Sequence, residues 1–137
     1  MEFKSKSFLK TVEFGKKFGK SLAGGEVILL TGELGSGKTS LTKGIAMGLD
    51  IEESVTSPSF AIMNIYQGKL CLYHFDFYRI EDESEMEDLL EGYIYSKEGV
   101  TVIEWGEKII DRLSRFTSIS FKIYETHRIT TIHRKRF

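Results

Sequence analysis

A chain of 137 residues, 41% apolar and 28% charged, is long enough to bury a core and short enough to read as one domain over residues 1–137. Its 19 Lys and Arg against 20 Asp and Glu leave a net charge of −1, which argues against a dedicated DNA-coating or polybasic membrane protein. The longest apolar runs are four residues (Val27–Leu30 and Leu70–Tyr73 among them), the N-terminus leads into no apolar signal segment, and Cys71 is the only cysteine. A membrane span, secretion, an internal disulfide framework and a cysteine-based zinc site are thereby disfavoured, and a cytoplasmic protein is expected.

Val12, Phe14, Phe18 and Leu22 recur at helical spacing and predict a helix over 11–22, stopped by Gly24-Gly25. Glu26 to Thr31 reads as a short buried strand running into a glycine-rich turn. Leu41, Ile45 and Leu49 mark a second helix that ends near Gly48 and Asp50. Residues 50–59 read as a loop, and 60–67 and 69–76 as a hairpin joined at Gln67-Gly68. Ser84 followed by Glu87 is a capping-box pattern for a short helix through Glu91. Val100–Ile103 is a strand, Gly106–Leu113 a helix, and 117–124 and 127–132 a closing pair of strands. Helices interleaved with apolar strands specify an α/β fold, with a mixed sheet that has a parallel core and some antiparallel members.

Charge is unevenly distributed. Residues 81–91 carry seven acidic and no basic side chains, residues 1–20 carry six lysines against two glutamates, and Arg128, Arg134, Lys135 and Arg136 crowd the C-terminus. Solvated faces are the plain reading of these runs, and docking faces for a partner or RNA the sharper one.

Gly32-Glu33-Leu34-Gly35-Ser36-Gly37-Lys38-Thr39 matches G-x-x-x-x-G-K-[ST] in full, after an apolar strand and at the opening of a helix. Glycines let the backbone curl so that successive N–H groups point at phosphate oxygens, and the helix adds its positive N-terminal end. Lys38 then reaches the β- and γ-phosphates, and the Thr39 hydroxyl is placed for Mg²⁺. Such a site needs a carboxylate at the tip of a neighbouring strand. Asp76, ending Leu70–Asp76, and Glu104, ending Val100–Glu104, both qualify, and spacing alone does not rank them. The N-K-x-D guanine-reading motif is missing from the sequence, so ATP is the expected nucleotide. A small-molecule or nucleotide kinase needs an acceptor pocket and lid for which residues 40–137 leave little room. A nucleotide-dependent binding module without required hydrolysis is the other alternative.

Five segments in this order, Thr11-x3-Gly15, Gly32–Thr39, Thr56-Ser57-Pro58-Ser59-Phe60, His74-Phe75-Asp76-Phe77-Tyr78-Arg79 and Ile103-Glu104-Trp105, resemble the TsaE (YjeE) family of small bacterial P-loop ATPases. Ser59 stands where that family usually has Thr, with the hydroxyl kept. The resemblance implies a P-loop NTPase-like fold, binding of ATP and Mg²⁺, and weak ATP hydrolysis. It also implies work with TsaD and TsaB in making threonylcarbamoyladenosine in tRNA. Carried onto this chain, it implies that Leu34, Gly35, Ser36, Gly37, Lys38 and Thr39, with Ser40 beside them, hold the phosphates. Thr39 and Glu104 would be the Mg²⁺ ligands and Asp76 would orient a water. Phe8 and Thr11, with the segment around Thr126, would border the adenine.

The remaining residues have plainer readings beside these. Thr56–Phe60 is placed like a γ-phosphate-sensing switch, or is a loop whose hydroxyls cap backbone groups. His74 either touches the active site or, the plainer reading, is a structural histidine satisfied beside Asp76. Arg79 is expected to pair with the acidic 81–91 segment, Trp105 either faces a partner or nucleotide or packs on the sheet edge, and Cys71 is an inert strand residue. A site with so little built around it is expected to hydrolyse ATP slowly alone and to be completed by a partner protein.

Overall fold

A computed structural model describes residues 2–5, 7–32, 37–56, 62–123 and 128–135. They form one seven-stranded sheet in the order β1-β7-β6-β2-β5-β4-β3. The strands are β1 (Glu2–Ser5), β2 (Val27–Thr31), β3 (Met63–Tyr66), β4 (Cys71–Asp76), β5 (Gly99–Glu104), β6 (Phe116–Ile123) and β7 (Arg128–Lys135). The helices are α1 (Phe8–Lys20), α2 (Lys38–Gly48) and α3 (Glu83–Leu90), with a 3-10 helix at Glu107–Arg112. β6, β2, β5 and β4 run parallel, while β1, β7 and β3 pair antiparallel at the two edges. The expected α/β fold with a mixed sheet is therefore observed.

The central strands are apolar without alternation because both faces are covered. Ile28, Leu30, Leu72, Val100 and Val102 pack on one face with Leu41 and Ile45 of α2, Leu49 at its C-cap and Phe18 of α1. Val27, Leu29, Tyr73, Phe75 and Ile103 pack on the other with Met86 and Leu90 of α3 and Ile109 of the 3-10 helix. The chain leaves β2 toward one face and β5 toward the other. The C-terminal ends of these adjacent strands therefore frame a crevice of the kind in which open α/β sheets bind ligands.

Several boundaries differ from the sequence expectation for local reasons. α1 opens at Phe8, three residues early, because the Ser7 hydroxyl accepts from the Lys10 N–H and caps it. Phe8 and Leu9 are exposed and so carry no periodic signal. α3 is capped by Asp82, whose carboxylate accepts from the Ser84 N–H at 2.9 Å, and Ser84 lies inside the helix. Its acidic residues meet Arg112, at 2.9 Å to both Glu83 and Glu87, and Glu87 foremost raises the Arg112 pKa. β1 was not legible: four residues with no alternating pattern become a strand only by pairing with distant β7.

α1 and α2 cross with almost no side chains between them. A Cβ added at Gly15 would lie 2.6 Å from the Leu41 carbonyl oxygen, and one at Gly19 would lie 2.5 Å from that of Ile45. The reciprocal positions are as tight: Gly44 against Val12 O at 2.2 Å and Gly48 against Lys16 O at 2.4 Å. This backbone contact sets where α2, and hence Lys38 at its start, stands relative to α1.

Candidate nucleotide site

The strand ends and the start of α2 gather the predicted residues. Register places Leu30, Glu104 and Asp76 side by side across β2, β5 and β4. Strand alternation puts them on the face that packs against α2. The Phe77 N–H donates to the Glu104 carbonyl at 3.0 Å, fastening the exit of β4 to the end of β5. Asp76 is half-buried and accepts from the Tyr78 N–H at 3.0 Å, which fixes one carboxylate oxygen. Glu104 is only 6% exposed.

Gly32 and Gly37 hold φ of 139° and 115°, a region that costs a non-glycine residue steric energy, so both ends of the glycine-rich segment require the residue found there. Gly37 is also the N-cap of α2. It offers no side-chain cap, and the first turn contains no acid. The helix's positive end is therefore left uncompensated by its own residues, unlike that of α3, which carries Asp82, Glu83 and Glu85. Thr39 is exposed and Ser40 half-buried in that first turn. Leu34, Gly35 and Ser36 lie outside the described residues, as do Thr126 and Ser57–Phe60.

Lys38 is buried to 6% exposure, and its ammonium donates to the Gly32 carbonyl at 3.0 Å. It also lies 4.8 Å from the centre of the Trp105 ring. Among the described residues no carboxylate pairs with it. Trp105 holds φ of 59°, uncommon for a bulky side chain, and its ring also meets that of Tyr78 at 5.0 Å. Of the two sequence readings for Trp105, packing is observed, against the cluster that holds Phe75, Phe77 and Ile103, and the same ring also meets Lys38.

On the other side of the turn, a methyl at Gly37 would meet the Phe121 ring at 3.6 Å and Thr11 Cγ2 at 3.7 Å. Thr11 is buried, and its hydroxyl donates to Ser5 Oγ at 2.9 Å. Phe8, one helical turn away, is exposed. Phe121 was missed by sequence reasoning. Its signal was the alternation with Ile119 along β6, which speaks of core and says nothing of a neighbouring loop. Tyr66 was missed as well: its hydroxyl accepts from the Thr56 N–H at 3.2 Å and donates to the Thr56 carbonyl at 3.3 Å, anchoring the start of the 56–60 segment.

The structure corrects the expectation for His74. Its ring shares a face of β4 with Asp76 but makes its hydrogen bond to Glu104. Nε2 lies 2.8 Å from Glu104 Oε2, because residue 74 pairs with Val102 and Glu104 is its diagonal neighbour two residues on. Nor is the ring fully satisfied, since Nδ1 is buried with no hydrogen-bond partner among the described residues.

A buried cation and an open helix end thus stand at the same edge of the sheet as two strand-tip carboxylates, and the chain has known relatives. The family model for "Threonylcarbamoyl adenosine biosynthesis protein TsaE" matches residues 5–135. The chain belongs to the TsaE family. A TsaE from Treponema pallidum is 39% identical over 120 residues, covering 87% of this chain and 89% of the relative. One from Bacillus subtilis is 50% identical over 91 residues, covering 65% and 56%. The crystal structure of Bacillus subtilis YdiB superposes with a TM-score of 0.81 at 31% identity, covering 96% of this chain and 83% of YdiB. Membership in the TsaE family places the chain in tRNA threonylcarbamoyladenosine biosynthesis. Among the described residues no helix is long and apolar enough to cross a membrane.

Proposed function

We propose that this TsaE-family chain binds ATP with Mg²⁺ and hydrolyses it weakly, and that it works with TsaD and TsaB homologues in the cytoplasm during tRNA modification. The observation that carries the reading is the buried Lys38 ammonium, which among the described residues is opposed by a carbonyl and an aromatic face and by no carboxylate. A buried cation of this kind is costly unless an anion arrives to pair with it. A triphosphate laid on the uncapped start of α2 supplies that anion, along with acceptors for the backbone N–H groups.

The donor set fits magnesium. Thr39 and Glu104 offer hard oxygen ligands, and a nucleotide-bound Mg²⁺ typically takes only one or two protein ligands beside phosphate oxygens and water. Among the described residues no cluster of three or more His, Cys, Asp or Glu forms a cage for an ion of its own. When bound, the ion neutralises charge on the β- and γ-phosphate oxygens. The chain's own residues do the rest. Gly32 and Gly37 shape the cradle, Lys38 moves from Gly32 and Trp105 to the phosphates, and Asp76 accepts a hydrogen from the attacking water and orients it. Thr11 and Phe121 wall the side of the turn toward which the base lies, with Phe8 at its rim.

Two measurements test this. Glu104→Ala and Asp76→Ala should each lower ATP turnover by about 100-fold, the scale of losing one positioned group in a phosphoryl-transfer site. Turnover should also rise when TsaD and TsaB are added to the wild type. Variants that lose turnover yet still support tRNA modification would show hydrolysis to be dispensable, and a phosphorylated acceptor as product would show a kinase.

Trp105 is the only tryptophan, so its fluorescence reads the site directly. Withdrawal of Lys38 from its face on ATP binding should change its emission. No change under conditions where calorimetry detects binding would contradict the movement assigned to Lys38.

A further inference from the structure

We propose that His74 is a positioning residue for Glu104, holding one carboxylate oxygen so that the other is presented to magnesium. The proposal rests on the nucleotide–magnesium reading above.

The position is one that an apolar residue fits better. His74 is 1% exposed on the face where Leu72 precedes it and Val102 lies opposite, both fully buried. A leucine or valine there would bury no polar atom. The imidazole instead leaves Nδ1 buried with no partner among the described residues, a penalty that native interiors rarely carry. The contact obtained for it is the 2.8 Å one from Nε2 to Glu104 Oε2.

That contact has a defined sense. The hydrogen of this contact is carried by Nε2, which donates it to Oε2, the carboxylate oxygen being the acceptor. The carboxylate then has one oxygen tied down and cannot rotate freely about its terminal torsion. Leu30, Glu104 and Asp76 lie level at the strand ends, so the tied oxygen, contacting residue 74, is the one directed back along β4. Glu104 Oε1 is the oxygen left for a cation at the mouth of the crevice. Groups that orient a metal-binding side chain in this way are typically worth 10–100-fold in metal affinity.

The test compares His74→Leu, His74→Gln and His74→Asn with the wild type, using Mn²⁺ as the magnetic probe and a non-hydrolysable ATP analogue. A glutamine amide nitrogen reaches approximately where Nε2 stands, whereas an asparagine amide reaches only the Nδ1 position. Mn²⁺ affinity of the nucleotide complex, read by electron paramagnetic resonance, should fall about 10-fold or more in His74→Leu and His74→Asn. It should stay within about 3-fold of wild type in His74→Gln, and binding of the analogue without metal should be unchanged in all three. If His74→Leu does not fold, the Asn and Gln variants carry the same comparison. Equal Mn²⁺ affinity in wild type, Asn and Leu variants overturns the positioning role while leaving the nucleotide reading intact. A wild-type protein that binds neither analogue nor metal overturns both.

Discussion

Replacing Lys38 by alanine should lower ATP turnover at least about 100-fold, equivalent to about 2.7 kcal/mol of lost transition-state stabilisation, while changing folding stability by no more than about 1 kcal/mol. The two halves follow from one observation. In the folded chain the ammonium is buried against the Gly32 carbonyl and the Trp105 ring. Alanine forfeits the packing of the lysine stem, and it also removes a desolvated charge with no carboxylate opposite it among the described residues. These changes oppose one another in stability. In turnover they do not, because a charge-assisted contact to the γ-phosphoryl oxygens strengthens as negative charge develops there. Lys38→Met keeps the stem and should lose as much activity. Steady-state phosphate release beside thermal denaturation separates the quantities. Unchanged release in either variant would refute the phosphate role, and a collapsed melting temperature with matching loss of activity would make Lys38 structural.

Gly44→Ala should destabilise the fold by about 3 kcal/mol or more, a fall of roughly 10 °C in Tm for a chain of this size. Helix propensity predicts the opposite sign, since alanine is favoured over glycine inside a helix by about 1 kcal/mol. The clash decides it. The new Cβ would stand 2.2 Å from the Val12 carbonyl oxygen, 2.9 Å from Gly15 Cα and 3.0 Å from Lys16 N. All three are backbone atoms, and no rotamer can relieve the overlap. α1 and α2 must separate, which opens the packing of Phe18 and Ile45 and shifts Lys38 relative to Thr11. Gly92→Ala is the control. Gly92 also has φ of 89°, but nothing lies within 4 Å of an added Cβ, so only the backbone conformation is penalised, by about 1 kcal/mol. A Tm for Gly44→Ala at or above wild type would mean that the helices are not held at this distance.

The site was more legible than the sheet that carries it. Gly32–Thr39 declared itself through residue types whose chemistry is local, and Asp76 and Glu104 through the rule that acids ending apolar strands stand at a sheet's edge. Within the described residues the tertiary structure brings Gly37, Lys38, Thr11, Asp76 and Glu104 to one end of the sheet. Other features were hidden because each depends on a partner far away in sequence. β1 exists through β7, and Phe121 borders the turn only because β6 lies beside β2. The cap of α3 was misplaced by two residues because Asp82 and Ser84 are both good capping residues, and only the helix start distinguishes them.

A length of 137 residues, balanced charge and one cysteine determined the broad class, and the glycine-rich motif pointed to phosphate chemistry, because both depend on composition and short-range spacing. Only the tertiary structure decided that His74 belongs to Glu104. Alternation along β4 put His74 and Asp76 on one face, but the register between β4 and β5 is a long-range property. It sets residue 74 opposite Val102, and the diagonal to Glu104 follows from that pairing alone.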